Sequence, residues 1–427
     1  MFNLISEKTY SNTGYKLHMF PTKKFQTITF YFHFLSPLNP QHIDDAQILP
    51  FVLLQGSEKF PNKNAIQQML DRLYGALLFA EVSKKADKQV ITFCLEMISP
   101  DLLKDGDKIL DEGLKLLMDI LFHPLLINNG LSENFIRLEK EKAIARLHGQ
   151  KDNKIQYAND RLIETLFRDE PYGLPIYGTI EGLKNVTSET LTKMYSNFFD
   201  EQQIEIYILG DFDEQKMQNR MDDLFGDKFS KGKNYGSYTY RAIQSDASKD
   251  VVEVASITQG KLHLGFQTDI TFPSNDYEAM QVCNGVFGAF SHSKCFLAVR
   301  EQQSLAYYVT SKLESHHGFL AVMTGIDAKN EKQTRDTILE QLYQMQKGNV
   351  SEKEVEQTKA ALRNEILCAL DDPRGILALS PHQVLSGHTR TFSAWLKNIE
   401  KVTKEDVIQA SQHIAYKGSF FLKGEEV

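Results

Sequence analysis

Apolar and polar residues alternate through "TITFYFHF" (Thr27–Phe34), which predicts a half-buried strand, and more briefly through "GYKLHMF" (Gly14–Phe20). The period then lengthens. Helices are expected at about 43–55 and 63–74, strands near 76–84 and 88–97, and a long helix in "LLKDGDKILDEGLKLLMDILF". From Ser132 to about Phe167 the apolar positions fall three and four apart, predicting a helical stretch. A helix near 188–198, a strand in "IEIYILG" (Ile204–Gly210) and a helix ending near Leu224 follow. The stretch "GDKFSKGKNYGSYTYRAIQSDASKD" (Gly226–Asp250) is rich in Gly, Ser and Lys, has no period, and predicts a linker.

After the linker the order of elements recurs. Strands are expected at 251–258 and 261–268, helices at about 275–287 and 292–302, and strands at 305–313 and 318–326. Helices at 331–346 and 351–369, more helices to about 412, and a last strand in "GSFFLKG" complete the second half. Residues recur as well. At an offset of 228, Arg72, Leu77, Phe79, Ser83 and Lys84 fall on Arg300, Leu305, Tyr307, Ser311 and Lys312. At an offset of 217, Glu139, Lys142, Ala143 and Arg146 fall on Glu356, Lys359, Ala360 and Arg363. The expected fold is α+β in two duplicated domains, each a mainly antiparallel sheet packed with helices. They are expected at 1–228 and 251–427, joined by a linker at 229–250.

Composition narrows the chemistry. With 427 residues, 42% of them apolar and 24% charged, the chain is expected to fold as a soluble globular protein with more than one core. A net charge of −8 argues against nucleic acid as a main partner. Four cysteines, Cys94, Cys283, Cys295 and Cys368, lack CxxC spacing and are expected to be reduced and buried. The sequence shows no signal-peptide pattern and no apolar run of membrane-span length, so no membrane association and a cytoplasmic location are expected.

One helix raises the functional question. "DAQILPFVLLQGSEKFP" (Asp45–Pro61) is an early apolar helix running into Gly56-Ser57, as a zinc-binding helix can, yet its interior holds no histidine and no carboxylate. With the duplication, it resembles the insulinase/pitrilysin superfamily of zinc peptidases, in its two-domain bacterial and processing-peptidase branch. The strongest piece is "GVFGAFSHSKCFLAVREQQSLAYYVTS" (Gly285–Ser311), similar to that family's second-half signature; "LLQGSEKFPN" and "IYGTIEGLKNVTSETL" add to it. Active members carry His-x-x-Glu-His on the first helix, whose two histidines share one face and hold zinc while the Glu activates water. Counting back from Gly56-Ser57, those positions are Gln47, Pro50 and Phe51. The family's later carboxylates would fall near Ala145 and Arg146, and its edge-strand Asn at Leu78. No HxxEH or HExxH occurs anywhere in the chain, so no metal or cofactor is expected in it.

The resemblance carries further expectations. Arg300 and Tyr307 match the family's arginine/tyrosine pair, which holds the peptide carbonyl or its oxyanion; Tyr308 is the alternative inward tyrosine. The implied role is a catalytically inactive subunit that offers this pair and a peptide-binding surface to a zinc-bearing HxxEH homologue. The alternative is a non-proteolytic structural or peptide-binding protein, forming a homodimer or a heterodimer. The remaining candidates have simpler readings. "SHSKC" (Ser291–Cys295) reads as a helix cap with a buried cysteine, His316-His317 as a solvated turn, and "EKEKAIARLHGQKDNK" (Glu139–Lys154) as a solvated helix face.

Overall fold

The computed structural model describes residues 5–243 and 249–424. The chain divides into two compact units: residues up to Gly149 with Pro175–Gly236, and Gln150–Leu174 with the residues from Ser237 onward.

In the first unit, β1 (Lys8–Ser11), β2 (Tyr15–Pro21), β3 (Thr27–Pro37), β4 (Leu77–Lys85), β5 (Lys88–Ile98) and β8 (Gln203–Gly210) form one sheet in the order β1-β2-β8-β3-β5-β4. β6 (Leu126–Ile127) and β7 (Gly130–Leu131) make a separate two-residue hairpin. Alternation in β3 sorts its side chains: Ile28, Phe30, Phe32 and Phe34 enter the core cluster, while Thr29, Tyr31 and His33 fall on the other face. The helices are α1 (Ile43–Leu53), α2 (Lys63–Arg72), α3 (Gly106–Phe122) and α4 (Glu133–Asp152). After α5 (Lys154–Leu166), which joins the second unit, come α6 (Ile180–Asn185), α7 (Ser188–Asn197) and α8 (Glu214–Phe225).

The second unit's sheet comprises β9 (Lys249–Ala255), β10 (Gly260–Gln267), β11 (Ala306–Glu314), β12 (Phe319–Ile326) and β13 (Ala415–Gly424), in the order β11-β12-β10-β13-β9. Setting β1 and the small hairpin aside, both sheets follow one plan. The first and last strands pair in parallel (β2 with β8, β9 with β13), and every other neighbour is antiparallel. That is the topology an internal repeat requires. Its helices are α9 (Tyr277–Asn284), α10 (Glu331–Gln346), α11 (Glu352–Ala369), α12 (Pro373–Leu379), α13 (Pro381–Ser386), α14 (Phe392–Lys401) and α15 (Lys404–Gln412). The helices expected at 275–287 and 292–302 are interrupted: α9 runs into wide π-type turns at Gly285–Ala289, and a second such stretch spans Phe296–Gln302.

Two differences from the expected organisation have local causes. The stretch 132–167 breaks at Asn153, whose Oδ1 accepts the amide of Gln156 at 3.2 Å and starts α5. α5 then packs Ala158, Leu162 and Leu166 against Phe319, Phe420 and Leu422 of the second sheet. Gly265 permits the approach, since a Cβ there would lie 2.3 Å from Leu166 Cδ1. The expected linker also divides. Phe229 is fully buried in the first core, stacked 5.5 Å from Phe225, whereas the Ile243 amide donates to Gln267 Oε1 in the second unit. Positions 244–248 of that linker lie outside the described residues. No described helix is long and apolar enough to cross a membrane.

Candidate functional site

α1 is apolar nearly all round because nearly all of it is buried, from Ile43 through Leu53. Its polar exceptions are anchored. Asp44 Oδ1 accepts the Thr179 amide at 2.9 Å, and Asp45 Oδ1 accepts the Thr190 hydroxyl at 2.9 Å. Pro50 sits inside the helix, where it removes one backbone donor one turn before the helix ends.

The stripe Gln47, Phe51, Gln55 carries the site. Gln47 is buried, and its Nε2 donates to the Ile176 carbonyl at 2.6 Å. Phe51 is half-buried, with the Arg146 guanidinium carbon 4.6 Å from its ring centroid. One turn on, Gln55 Nε2 donates to Glu139 Oε1 at 2.7 Å, and Lys142 Nζ donates to the same oxygen at 2.7 Å. Glu139 is 3% exposed, which corrects the reading of Glu139–Lys154 as wholly solvated. Its carboxylate turns inward against Gln55, while Lys142 and Arg146 stay exposed. A cleft of about 670 Å³ opens beside them, floored by Phe51, Leu54, Ile66 and Leu78 and edged by Lys63 and Arg146.

These residues do not fit zinc. Gln47 has committed its amide nitrogen to a backbone carbonyl, Pro50 has no side-chain donor, and Phe51 presents a ring with a cation lying over it. Among the described residues no group of three or more His, Cys, Asp or Glu is placed to hold a metal ion.

In the second unit, Arg300 lies in the wide-turned stretch packed beside β11. Its guanidinium sits 4.8 Å from the Phe296 ring and its Nε 3.6 Å from Glu301 Oε1, with the side chain about half exposed. Tyr307 follows on β11 at a bulge, where the ladder to β12 passes from Ala306 to Tyr308. The extra residue turns outward: Tyr307 is 80% exposed. Tyr308 instead packs on Gly325 with the Lys261 ammonium 5.6 Å from its ring, and burial pushes its phenol above the usual range. Its hydroxyl is buried without a hydrogen-bond partner among the described residues. Between the two tyrosines, the accessible one is Tyr307.

Comparisons with known proteins show the family. Residues 185–362 match the family described as peptidase M16 inactive domain. Over 423 residues the chain is 36% identical to the probable inactive metalloprotease YmfF of Bacillus subtilis (strain 168), with 99% of each chain covered. The chain is an inactive member of the M16 peptidase family. It is also 23% identical over 357 residues to the uncharacterized zinc protease YmxG of the same strain, covering 81% of this chain and 85% of that one. The crystal structure of a conserved protein from Enterococcus faecalis V583 superposes with a TM-score of 0.89 at 30% identity, covering 98% of this chain and 99% of that one.

Other M16-chain residues depart from or follow their sequence readings. Ser293 does cap, its Oγ accepting the Phe296 amide at 3.3 Å, and Cys295 is buried with its thiol pushed up by burial. His292 bonds Thr358 Oγ1 at 2.9 Å and stacks on Phe290. His316 and His317 are not solvated. They are 2% and 3% exposed, because His382, Phe272, Tyr172 and Tyr238 cover their turn. His316 Nε2 lies 2.8 Å from His382 Nδ1, and His317 Nδ1 lies 2.8 Å from the Tyr238 hydroxyl. Cys94 and Cys283 are buried as expected, but Cys368 is exposed on α11. Sequence reasoning missed Gln55 and Glu139. A signal was present: Gln47, Phe51 and Gln55 repeat every four residues, as one helix face does.

Proposed function

We propose that this chain is the zinc-less subunit of a cytoplasmic heterodimeric metallopeptidase, paired with a zinc-bearing HxxEH homologue that hydrolyses peptides. The carrying observation is the contrast between the two units. The first keeps the helix but fills the ligand positions with a hydrogen-bonded Gln47 and an arginine-capped Phe51. The second leaves Arg300 and Tyr307 exposed, the guanidinium beside its equally exposed neighbour Glu301 and the phenol turned outward. Both donate hydrogen bonds, which suits a peptide carbonyl oxygen as negative charge develops on it. Extended peptides would add as a strand to β4, the last strand of the first sheet. One bacterial strain holding both a probable inactive relative and a zinc-protease relative is in keeping with a division of labour.

Fluorogenic-peptide cleavage with added zinc tests the reading. The chain alone is expected to be silent and the mixture with its HxxEH homologue active, with Arg300→Ala lowering the mixture's rate by roughly 10²-fold or more. A complex that forms but stays silent would instead support the structural, peptide-binding role, as a heterodimer or homodimer.

A further inference from the structure

We propose that the cleft beside the vacated metal positions takes the C-terminal residue of an extended peptide, its free carboxylate held by Arg146 and Lys63. This rests on the strand addition in the reading above, and on neither the zinc-bearing partner nor Arg300 and Tyr307.

Charge names the ligand. Three cations line the cleft, Lys63, Lys142 and Arg146, against a single carboxylate, Glu139. Glu139 is already engaged: its Oε1 receives both Gln55 and Lys142. Among the described residues neither Lys63 nor Arg146 has a carboxylate partner; the Arg146 guanidinium lies over the Phe51 ring. Two uncompensated cations at the lip of an apolar floor suit a group with one anionic end and one apolar face. A volume of about 670 Å³ accommodates one large side chain with its backbone rather than a folded partner.

Strand direction decides which end of a peptide arrives. β4 runs from Leu77 to Lys85 and is paired on one side, with β5. The cleft touches β4 only at its beginning, Leu78–Ala80. A strand added antiparallel along Ala80–Ser83 would run toward that beginning and end in the cleft. A parallel one would start there and bring an ammonium to Lys63 and Arg146. The electrostatics therefore select the antiparallel peptide and its carboxylate. Side-chain alternation agrees with this choice. Leu78, Ala80 and Val82 pack toward the helices, so residues opposite them on an added strand project to the same face, and the terminal one, nearest Ala80, meets the cleft.

The same groups explain why an erased metal site need not be a filled one. Arg146 displaces the chemistry of a cation ligand set while leaving a place for an anion, and Phe51 supplies floor rather than ligand.

The test uses fluorescence anisotropy on the full chain, with no partner and no added zinc. The probe is a fluorescein-labelled seven-residue peptide of alternating threonine and valine ending in leucine, prepared as the free acid and as the C-terminal amide. The free acid is expected to bind at least about tenfold more tightly than the amide, the scale of one lost charge-assisted hydrogen bond. In the Arg146→Gln/Lys63→Gln variant, that preference is expected to vanish while the circular dichroism spectrum is unchanged. Equal binding of acid and amide by the wild-type chain would overturn the proposal, as would binding of neither up to about 1 mM. The wild-type comparison decides alone should the variant misfold. Acid-selective binding together with a silent peptidase mixture would sink only the heterodimeric reading.

Discussion

Gln55, just past the end of α1, and Glu139, on α4, meet as two buried residues, with Gln55 Nε2 donating to Glu139 Oε1 across 2.7 Å. Lys142 shares that oxygen. Removing the carboxylate leaves a buried amide unmatched, whereas exchanging it for an amide keeps an acceptor in place. Glu139→Ala is expected to destabilise by about 2–3 kcal/mol and Glu139→Gln by about 1 kcal/mol. The midpoints of urea unfolding should fall in that order; equal midpoints for wild type and Glu139→Ala would show the contact to be idle.

Arg146 is predicted to block metal even after ligands are restored. A chain carrying Gln47→His, Pro50→Glu and Phe51→His is expected to hold zinc weakly, because the guanidinium that caps Phe51 in this protein stays beside the new imidazole. Adding Arg146→Ala should tighten zinc at least about tenfold in chelator competition. Tight binding by the first variant, unchanged by the second, would contradict this.

Buried histidines set opposite pH limits in the two units. His18 is held between Glu7, 2.5 Å from Nδ1, and Glu205, 2.7 Å from Nε2, and stacks on Tyr207. Burial pushes its pKa down, but the bonds from Glu205 and Glu7 outweigh it, and the net shift is upward from 6.5. The stabilisation is therefore complete below about pH 6.5 and lost as pH rises through the folded value, by at most about 1.4 kcal/mol per pH unit. In β10, His263 has neither ring nitrogen bonded among the described residues; burial, aided by Lys261, pushes its pKa down to about 3. Its contribution is complete above about pH 6.5 and drains away as pH falls toward 3. Thermal melting across pH should show His18→Gln flattening the alkaline side and His263→Leu the acid side. Unchanged slopes would refute the assignment.

Arg390 and Glu278 form an ion pair buried on both sides, with Arg390 Nη2 also donating to the Phe272 carbonyl at 2.9 Å. Breaking one side strands a buried charge, so Arg390→Met is expected to cost about 3–5 kcal/mol. The double variant Arg390→Met/Glu278→Leu should recover most of that loss. Calorimetry of the three proteins checks the order.

Much of the architecture was legible in the residues. The period of two in "TITFYFHF" became β3, with its phenylalanines inward, and the matched offsets became two sheets of one strand order. Gln47, Pro50 and Phe51 do lie on a helix, α1. What escaped depends on residues distant in the chain. Glu139 sits in a charged run whose period says surface, and only Gln55, 84 positions earlier, makes it interior. His316 and His317 sit at a turn, and the rings packed on them come from as far back as Phe167. Cys368 sits among apolar neighbours in sequence but on the exposed side of α11. Local pattern reports which face a residue prefers, not which segment arrives to cover it.

The shared strand order has a consequence for synthesis on the ribosome. In each sheet the strand made last lies between two made near the start, β8 between β2 and β3 and β13 between β9 and β10, so neither sheet has its interior until that final strand emerges. The first unit waits for β8, Gln203–Gly210. α5, translated before β8, meanwhile has its docking surface on β10, β12 and β13, the last at Ala415–Gly424. The nascent chain must therefore carry a helix with an uncovered apolar face through roughly half of its translation, a window in which a chaperone or a premature partner would find it.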